Sequence, residues 1–188
     1  ETFLKYPRSN TTIAANYARA IAFYREGNLA KAIIALDHLI TLEKENPYFW
    51  ELKGQILLEK REKELARRAY EKAYSFSKDV IILQQLAQVE LSLNTQKSNK
   101  DALAYLEKAI RMTPDSSTTW KQLAIAQGRN GKIALAKLSL AEEALLRKDF
   151  ARALKNALFV KKNLIQDLFA HQRALDIINY VEQVLDRK

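Results

Sequence analysis

The feature that most constrains the fold is the spacing of small and aromatic residues in the segment 46–79. These residues, at successive separations of 4, 12, 4 and 3, are Trp50, Gly54, Ala66, Tyr70 and Ala73. Separations of three and four place side chains on one face of a helix. Small residues such as Gly54 and Ala66 allow two helix backbones to approach closely where they cross. The segment therefore predicts a helical hairpin, with Trp50 and Tyr70 filling the gaps beside the crossing.

The same spacing recurs along the chain. Ala20 and Ala32 lie twelve residues apart, and each lies 34 residues before its counterpart, Gly54 or Ala66. Ala124 and Ala136 are also twelve residues apart. A helix–turn–helix unit with a 34-residue period is typical of the tetratricopeptide repeat (TPR). An ordinary hairpin with coincident spacing is the alternative. Recurrence of the pattern in four repeats, one of which (Ala87 and Ala102) carries an insertion, argues against it. We therefore predict an all-α fold, a right-handed TPR superhelix (α-α solenoid) of four repeats plus a degenerate fifth and a C-terminal capping helix.

Helical periodicity also predicts where the helices lie. The expected helices are 11–26 and 29–44 in repeat one, 47–60 and 62–76 in repeat two, and then 132–147, 150–162 and 167–186. In repeat three, Ala87 and Ala102 are fifteen residues apart, and we expect the three extra residues in a polar loop, 94–100. Arg61 stands where a turn glycine is usual, so we expect a tighter or more helical turn there.

The expected domain organisation has three segments. They are an extended lead-in at 1–10, four TPR-type hairpins at 11–147, and a degenerate fifth repeat with a capping helix at 148–188. Pro7 disfavours helix at the residue before it, and Ser9, Asn10 or Thr11 can cap the helix that follows.

The C-terminal helix is the expected cover for the end of the core. Ala141 and Ala153 are again twelve residues apart, so the helix 132–147 can close repeat four and open a fifth. The apolar residues expected on one face of the last helix are Leu168, Ala174, Leu175, Ile178, Val181 and Leu185. Terminal repeats of a solenoid need an atypical cover of this kind.

Composition excludes several classes of protein. The 188 residues include no cysteine, four glycines and three prolines, which excludes a disulfide scaffold and a thiolate metal site and fits a helical fold. No apolar run is long enough to span a membrane. Residue 1 is Glu and no signal peptide is visible, so we expect a fragment or a processed product.

The net charge of +9 admits three classes of partner, namely nucleic acid, anionic lipid or an acidic protein. A solvated lysine-rich exterior is the alternative that we favour. The densest basic cluster, 60–72, is interleaved with glutamates, and mixed signs at this spacing support an exposed helix. We therefore expect no nucleic acid as a partner.

No catalytic constellation is visible in the sequence. Only two histidines occur, His38 and His171, and neither has a second ligand at zinc-binding spacing. We expect His38 to be packed and His171 to lie at the surface. No nucleophile elbow or glycine-rich phosphate loop is present, so we expect this chain to hold no catalytic residue, no metal and no cofactor.

A TPR array forms a concave groove that is lined by the first helix of each repeat. The predicted groove residues are Tyr17, Ile21, Tyr24, Tyr48, Glu51, Gln55, Leu58, Gln84, Gln88, Lys121 and Arg129, with Ile81, Leu91 and Ile125 beside them. Amides can bond to a peptide backbone and tyrosines provide rigid contact area, so we expect a protein or an extended peptide as the partner. Some TPR domains clamp a peptide C-terminus with lysines and asparagines, and Glu51 and Gln55 at the matching positions predict no such clamp here.

Several segments contain stretches of sequence that the packing of TPR helices does not require. They are YARAIAFYREGNLAKA (17–32), NPYFWELKGQILLE (46–59), WKQLAIAQGRNGKIALAKLSLAEEALL (120–146) and QRALDI (172–177). Together they resemble the C-terminal TPR domain of bacterial periplasmic zinc metalloproteases of the BepA type. The resemblance implies a periplasmic parent protein whose protease domain, absent from this chain, carries an HExxH motif and zinc.

Two readings of function follow. The resemblance implies the substrate- or partner-docking part of such a protease, in assembly or quality control of outer-membrane proteins. Its implied partners are those proteins, their assembly machinery, or the parent's own protease domain. The alternative is a free-standing TPR scaffold or co-chaperone that binds an extended peptide.

Overall fold

A computed structural model describes residues 2–7 and 9–186, and it is built from α-helices. The helices are α1 (Thr2–Lys5), α2 (Ile13–Arg25), α3 (Leu29–Leu42), α4 (Pro47–Glu59), α5 (Lys63–Ser77), α6 (Val80–Leu93), α7 (Gln96–Met112), α8 (Ser117–Arg129), α9 (Ile133–Leu146), α10 (Phe150–Asn163) and α11 (Leu168–Asp186). The chain divides into two compact units, Glu1–Leu93 (unit 1) and Asn94–Lys188 (unit 2). This division falls between α6 and α7, inside the predicted third repeat.

In unit 1, each helix from α2 to α6 packs against the next along the chain. Ala20 and Ala32 are completely buried where α2 meets α3. Gly54 is buried on α4 and Ala66 on α5, and the Tyr70 ring lies directly over Gly54. The small residues therefore lie at helix contacts, as their twelve-residue spacing predicted.

The turns within the hairpins share one backbone conformation. Gly27 has φ +75°, and Arg61, at the same point of the next hairpin, has φ +63°. The expectation of a tighter or more helical turn at Arg61 is wrong, because the arginine adopts the left-handed conformation that glycine provides elsewhere. A side chain in this region costs about 1–2 kcal/mol, which the packing of α4 on α5 must offset.

The N-terminal residues differ from the predicted extended lead-in. Thr2–Lys5 form one helical turn, closed by the Tyr6 N–H donating to the Thr2 carbonyl at 2.8 Å. Pro7 restricts only the residue before it, so it leaves this turn free to form. The cap of α2 is Thr12, whose hydroxyl accepts from the Ala15 N–H at 3.3 Å, one residue beyond the predicted candidates.

In unit 2, α7 to α11 pack in sequence, and α11 also contacts α9. The predicted loop 94–100 is wrong after residue 95, because α7 already begins at Gln96. Thr95 and Ser98 form a capping box, each side chain bonded to the other's backbone N–H, and such a box starts a helix even in a polar sequence. The extra residues therefore lengthen α7.

The last helix covers the core of unit 2. Its buried residues are Ala170, Ala174, Ile177, Ile178 and Val181, which join a cluster with Ala141 and Ala153. Leu168 and Leu185 are exposed, contrary to the predicted face. The Arg173 guanidinium donates two bonds to the buried Glu142 carboxylate, at 2.6 and 2.9 Å, and so ties α11 to α9.

One tryptophan in each unit joins the start of a hairpin to the connection before it. The Trp50 indole N–H donates to the Lys44 carbonyl at 2.7 Å, and the Trp120 indole donates to the Pro114 carbonyl at 2.8 Å. Both bonds span six residues, so the two units repeat the same closure.

Candidate functional site

Tyrosines join α2 to α4 on one side of unit 1. The Tyr17 hydroxyl lies 3.4 Å from the Tyr48 carbonyl oxygen, and the Tyr17 ring lies 5.1 Å from that of Phe49, tilted by 51°. Tyr48 itself is 63% exposed. Burial, and then the negative charge of Glu51, raise the pKa of Tyr17, so its hydroxyl remains a donor at neutral pH.

A second bridge lies about two turns further along α2. The Gln55 amide donates to the Tyr24 hydroxyl at 2.8 Å, and that hydroxyl donates to the Glu59 carboxylate. Burial, followed by the bond to Glu59, raises the pKa of Tyr24 to about 12. Amide, phenol and carboxylate are therefore held side by side at the surface.

Glu51 links this surface to α6. Its carboxylate bonds to the Gln85 side chain, and its pKa is raised chiefly by burial and also by the charge of Asp79. Gln84 and Gln88 follow on α6 one turn apart, with Gln88 exposed. We call the surface formed by Tyr17, Tyr24, Tyr48, Glu51, Gln55 and Glu59, with Gln85 and Gln88 of α6 beside them, the tyrosine face.

The other predicted groove residues are less closely grouped. Ile21 and Leu58 are half-buried in unit 1, Ile81 is exposed, and Leu91 is buried with little surface to offer a ligand. Lys121, Ile125 and Arg129 lie exposed on α8, in unit 2. The Arg129 guanidinium lies 3.4 Å from the side-chain oxygen of Asn99.

Sequence reasoning missed two members of the site. Glu59 follows Tyr48, Glu51 and Gln55 at helical spacing, so the α4 stripe could have included it. Gln85 had no such signal, because it lies beside Gln84 and Gln88 in an amide-rich stretch.

The two histidines do not form a ligand site. His38 is exposed, so its predicted packing is wrong; the neighbouring Leu36 and Leu39 take the buried side of α3. His171 is half-buried on α11. Within residues 2–7 and 9–186, no group of three or more metal-ligating side chains comes together. In the same residues, no helix combines the length and apolar character needed to cross a membrane.

The segment on which the fold prediction rests also matches a known family. Residues 47–79 match the model of the tetratricopeptide repeat. The chain has a TPR fold. YrrB, a TPR protein described as having an unusual peptide-binding site, superposes with a TM-score of 0.69 over 100% of this chain and 99% of its own, at 18% identity. MamA from Desulfovibrio magneticus RS-1 (residues 41 to the end) superposes with a TM-score of 0.69 over 94% and 96%, at 15% identity.

One curated relative is named as a subunit of a complex. Anaphase-promoting complex subunit 7 of Dictyostelium discoideum is 26% identical over 172 residues, which cover 85% of this chain. The aligned TPR segment spans 27% of that relative's length. The structural likenesses, at 15–18% identity, establish the TPR fold alone.

Proposed function

We propose that this TPR chain is a protein-interaction module whose tyrosine face binds an extended peptide. The observation that carries the proposal is the bonded group of Tyr24, Gln55 and Glu59, which bridges α2 and α4 at the surface. Its amide and carboxylate can accept or donate to a peptide backbone, and the tyrosines offer flat apolar area at low conformational cost. The bonds among these side chains fix the surface before a peptide arrives, which lowers the entropic cost of binding.

The charge of the tyrosine face favours a peptide that contains lysine or arginine. Glu51 and Glu59 lie among its tyrosines, and Asp79 lies close enough to raise the pKa of Glu51. A cation placed here would relieve the repulsion between Glu51 and Asp79. The chain as a whole carries +9, so this face differs in sign from the average surface.

The test is selection from a random peptide library on the immobilised chain, followed by fluorescence anisotropy with the enriched peptides. We expect enriched peptides to contain basic and apolar residues. Tyr24→Ala combined with Gln88→Ala should raise their Kd by about thirtyfold, since each removes a contact of the order of 1 kcal/mol.

A matched control is available in unit 2. Tyr180 and Gln183 are exposed on α11, and Tyr180→Ala with Gln183→Ala should leave the Kd unchanged. Peptides that bind the Tyr24/Gln88 variant as well as the unaltered chain would place the site elsewhere and overturn the proposal.

We further propose a setting for this module, the docking of substrates or partners by a periplasmic zinc metalloprotease that acts on outer-membrane proteins. The support is the resemblance of segments 17–32, 46–59, 120–146 and 172–177 to that family. Zinc would then belong to the protease domain of the parent, as would the catalytic residues. Reading the parent gene tests this setting, because a reading frame without an HExxH-containing domain contradicts it.

A TPR scaffold within a larger assembly is the second candidate. The observation that favours it is the alignment with anaphase-promoting complex subunit 7, named as a component of a complex. The two settings differ in what the parent protein co-purifies with. Cross-linking in the source organism should recover outer-membrane proteins in the first setting and a fixed set of subunits in the second.

A further inference from the structure

A pocket of about 750 Å³ opens between α3 and α5, with α4 as its floor. Its apolar lining residues are Ile33, Trp50, Leu57, Leu65 and Ala69. Leu57 and Ala69 are buried at 4% and 2% exposure, whereas Leu65 at the rim is 49% exposed. This α3–α5 pocket therefore offers an apolar floor that a ligand can reach from solvent.

The pocket and the tyrosine face lie on opposite sides of α4. The pocket residues on α4 and its C-cap are Trp50, Lys53, Leu57 and Lys60. The residues of the tyrosine face on α4 include Tyr48, Glu51 and Gln55. At about 100° per residue, the two stripes are roughly half a turn apart. A ligand in the pocket therefore has no contact with the tyrosine face.

The acidic residues that line the pocket are already paired. The pairs are Asp37 with Lys53 at 2.5 Å, Glu62 with Lys60 at 2.6 Å, and Glu71 with Arg67 at 4.0 Å. Lys53 also lies 5.6 Å from the centre of the Trp50 ring. These pairs neutralise Lys53 of α4 and Lys60 at its C-cap.

Two basic side chains of α5 also line the pocket. Arg68 and Lys72 are exposed, line the pocket and lie one turn apart. Among the residues that the structure describes, no carboxylate is within ion-pair distance of either side chain. Like charges at this spacing repel each other slightly, so the rim of the pocket carries an uncompensated positive charge that an anionic ligand would neutralise.

We propose that the α3–α5 pocket is a second docking site, which takes an acidic amphipathic peptide segment. Apolar side chains of the segment pack against Trp50, Leu57 and Leu65, and its carboxylates meet Arg68 and Lys72. The stripe from Trp50 to Lys60 is about 15 Å long at 1.5 Å per residue, which matches roughly three turns of a partner helix laid along the pocket. Charge thus separates the two sites, because the tyrosine face favours a basic peptide.

The probe is a fluorescein-labelled synthetic peptide of roughly four helical turns, with leucines along one face and glutamates beside them. The matched peptide carries lysines in place of the glutamates. On the Tyr24→Ala/Gln88→Ala chain, in which the tyrosine face is impaired, we expect the acidic peptide to bind more tightly than the basic peptide. Arg68→Glu with Lys72→Glu should raise the Kd of the acidic peptide by about tenfold or more and lower that of the basic peptide.

Two further variants complete the design. Lys97 and Lys100 are exposed on α7 and line no described pocket of unit 1, so Lys97→Glu with Lys100→Glu reverses the same charge elsewhere and should leave the Kd unchanged. Leu65→Ala removes the exposed apolar rim without breaking the helix and should weaken binding several-fold. Circular dichroism melts verify that each variant is folded.

The contradicting outcomes are distinct. No binding of the acidic peptide, or equal binding to the Arg68/Lys72 variant, overturns the proposal. Loss of binding in the Tyr24→Ala/Gln88→Ala variant would mean that the peptide occupies the tyrosine face, which also overturns it. A dimer in sedimentation that Leu65→Ala dissolves would assign the pocket to a second copy of this chain.

Discussion

Gly54 lies beneath the ring of Tyr70, and a Cβ atom added to Gly54 would lie 3.0 Å from three of the ring's carbons. Tyr70 is only 2% exposed, so its ring has little room to move away. Burial also raises the pKa of Tyr70, which keeps the phenol neutral. The contact explains why a small residue precedes Ala66 by twelve positions, since α4 and α5 meet through this ring.

Gly54→Ala should therefore destabilise the chain although alanine favours helix. Overpacking costs about 1–3 kcal/mol, and the better helix propensity of alanine returns at most about 1 kcal/mol. The matched control is Gly128→Ala on α8, where an added Cβ meets nothing within 4 Å and the propensity gain should appear alone. Urea unfolding measures the change in the free energy of unfolding for both variants. A Gly54→Ala chain that is more stable than the unaltered chain would contradict the close contact.

Arg61→Gly should stabilise the chain. Arg61 holds φ at +63°, a conformation that costs a side chain about 1–2 kcal/mol and glycine almost nothing. The greater freedom of glycine in the unfolded chain offsets part of that gain, so we expect a rise of about 0.5–1 kcal/mol in the free energy of unfolding. Gly27→Ala, at φ +75° with open space around it, should lower the free energy of unfolding. If both variants were as stable as the unaltered chain, backbone strain would be absent from these turns.

Arg173→Ala should loosen α11 from the rest of unit 2. The change leaves the carboxylate of Glu142 buried without its bidentate partner. Because Arg173 is 41% exposed, we expect a loss of about 1–2 kcal/mol, below the value for a fully buried pair. Adding Glu142→Gln should recover part of this loss. Gln183→Ala, exposed on the same helix, should leave the stability unchanged. Hydrogen exchange of the α11 amides measures the loosening directly.

Binding of a basic peptide to the tyrosine face should weaken as pH falls. Burial and the charge of Asp79 raise the pKa of Glu51, whereas a bound cation would lower it, so protonation of Glu51 opposes binding. The contribution of Glu51 to folding has the opposite sign. Its raised folded-state pKa means that the folded chain takes up this proton more readily than the unfolded chain, so this contribution to the free energy of unfolding rises as pH falls. Anisotropy and thermal melts from neutral pH to about pH 4 should show both trends reduced in Glu51→Gln.

The architecture was predictable because one packing rule repeats. Ala20, Ala32, Gly54 and Ala66 are small for a geometric reason that does not depend on the partner, and the rule recurs often enough to exceed chance. The predictions that failed concern positions where local backbone interactions determine whether a residue is in a turn or a helix. Arg61 adopts a glycine-like φ because neighbouring helices determine it, and the Thr95–Ser98 capping box turns a polar stretch into helix.

For the candidate site, the sequence predicted which residues share one face of a helix but not the contacts between helices. Helical spacing placed Tyr48, Glu51 and Gln55 together on α4, but it could not show that Tyr24 bonds to Glu59 across two helices. The α3–α5 pocket was not predicted at all. It depends on how far apart two helices lie, and the sequence pattern assigns faces to helices without giving that distance.

The equivalent closures at Trp50 and Trp120 place the chain's two indoles in different units. With Trp120→Phe, the remaining emission reports on unit 1, and with Trp50→Phe it reports on unit 2. Coincident melting curves from the two single-tryptophan chains would indicate one cooperative transition, whereas separated curves would give each half its own denaturation midpoint.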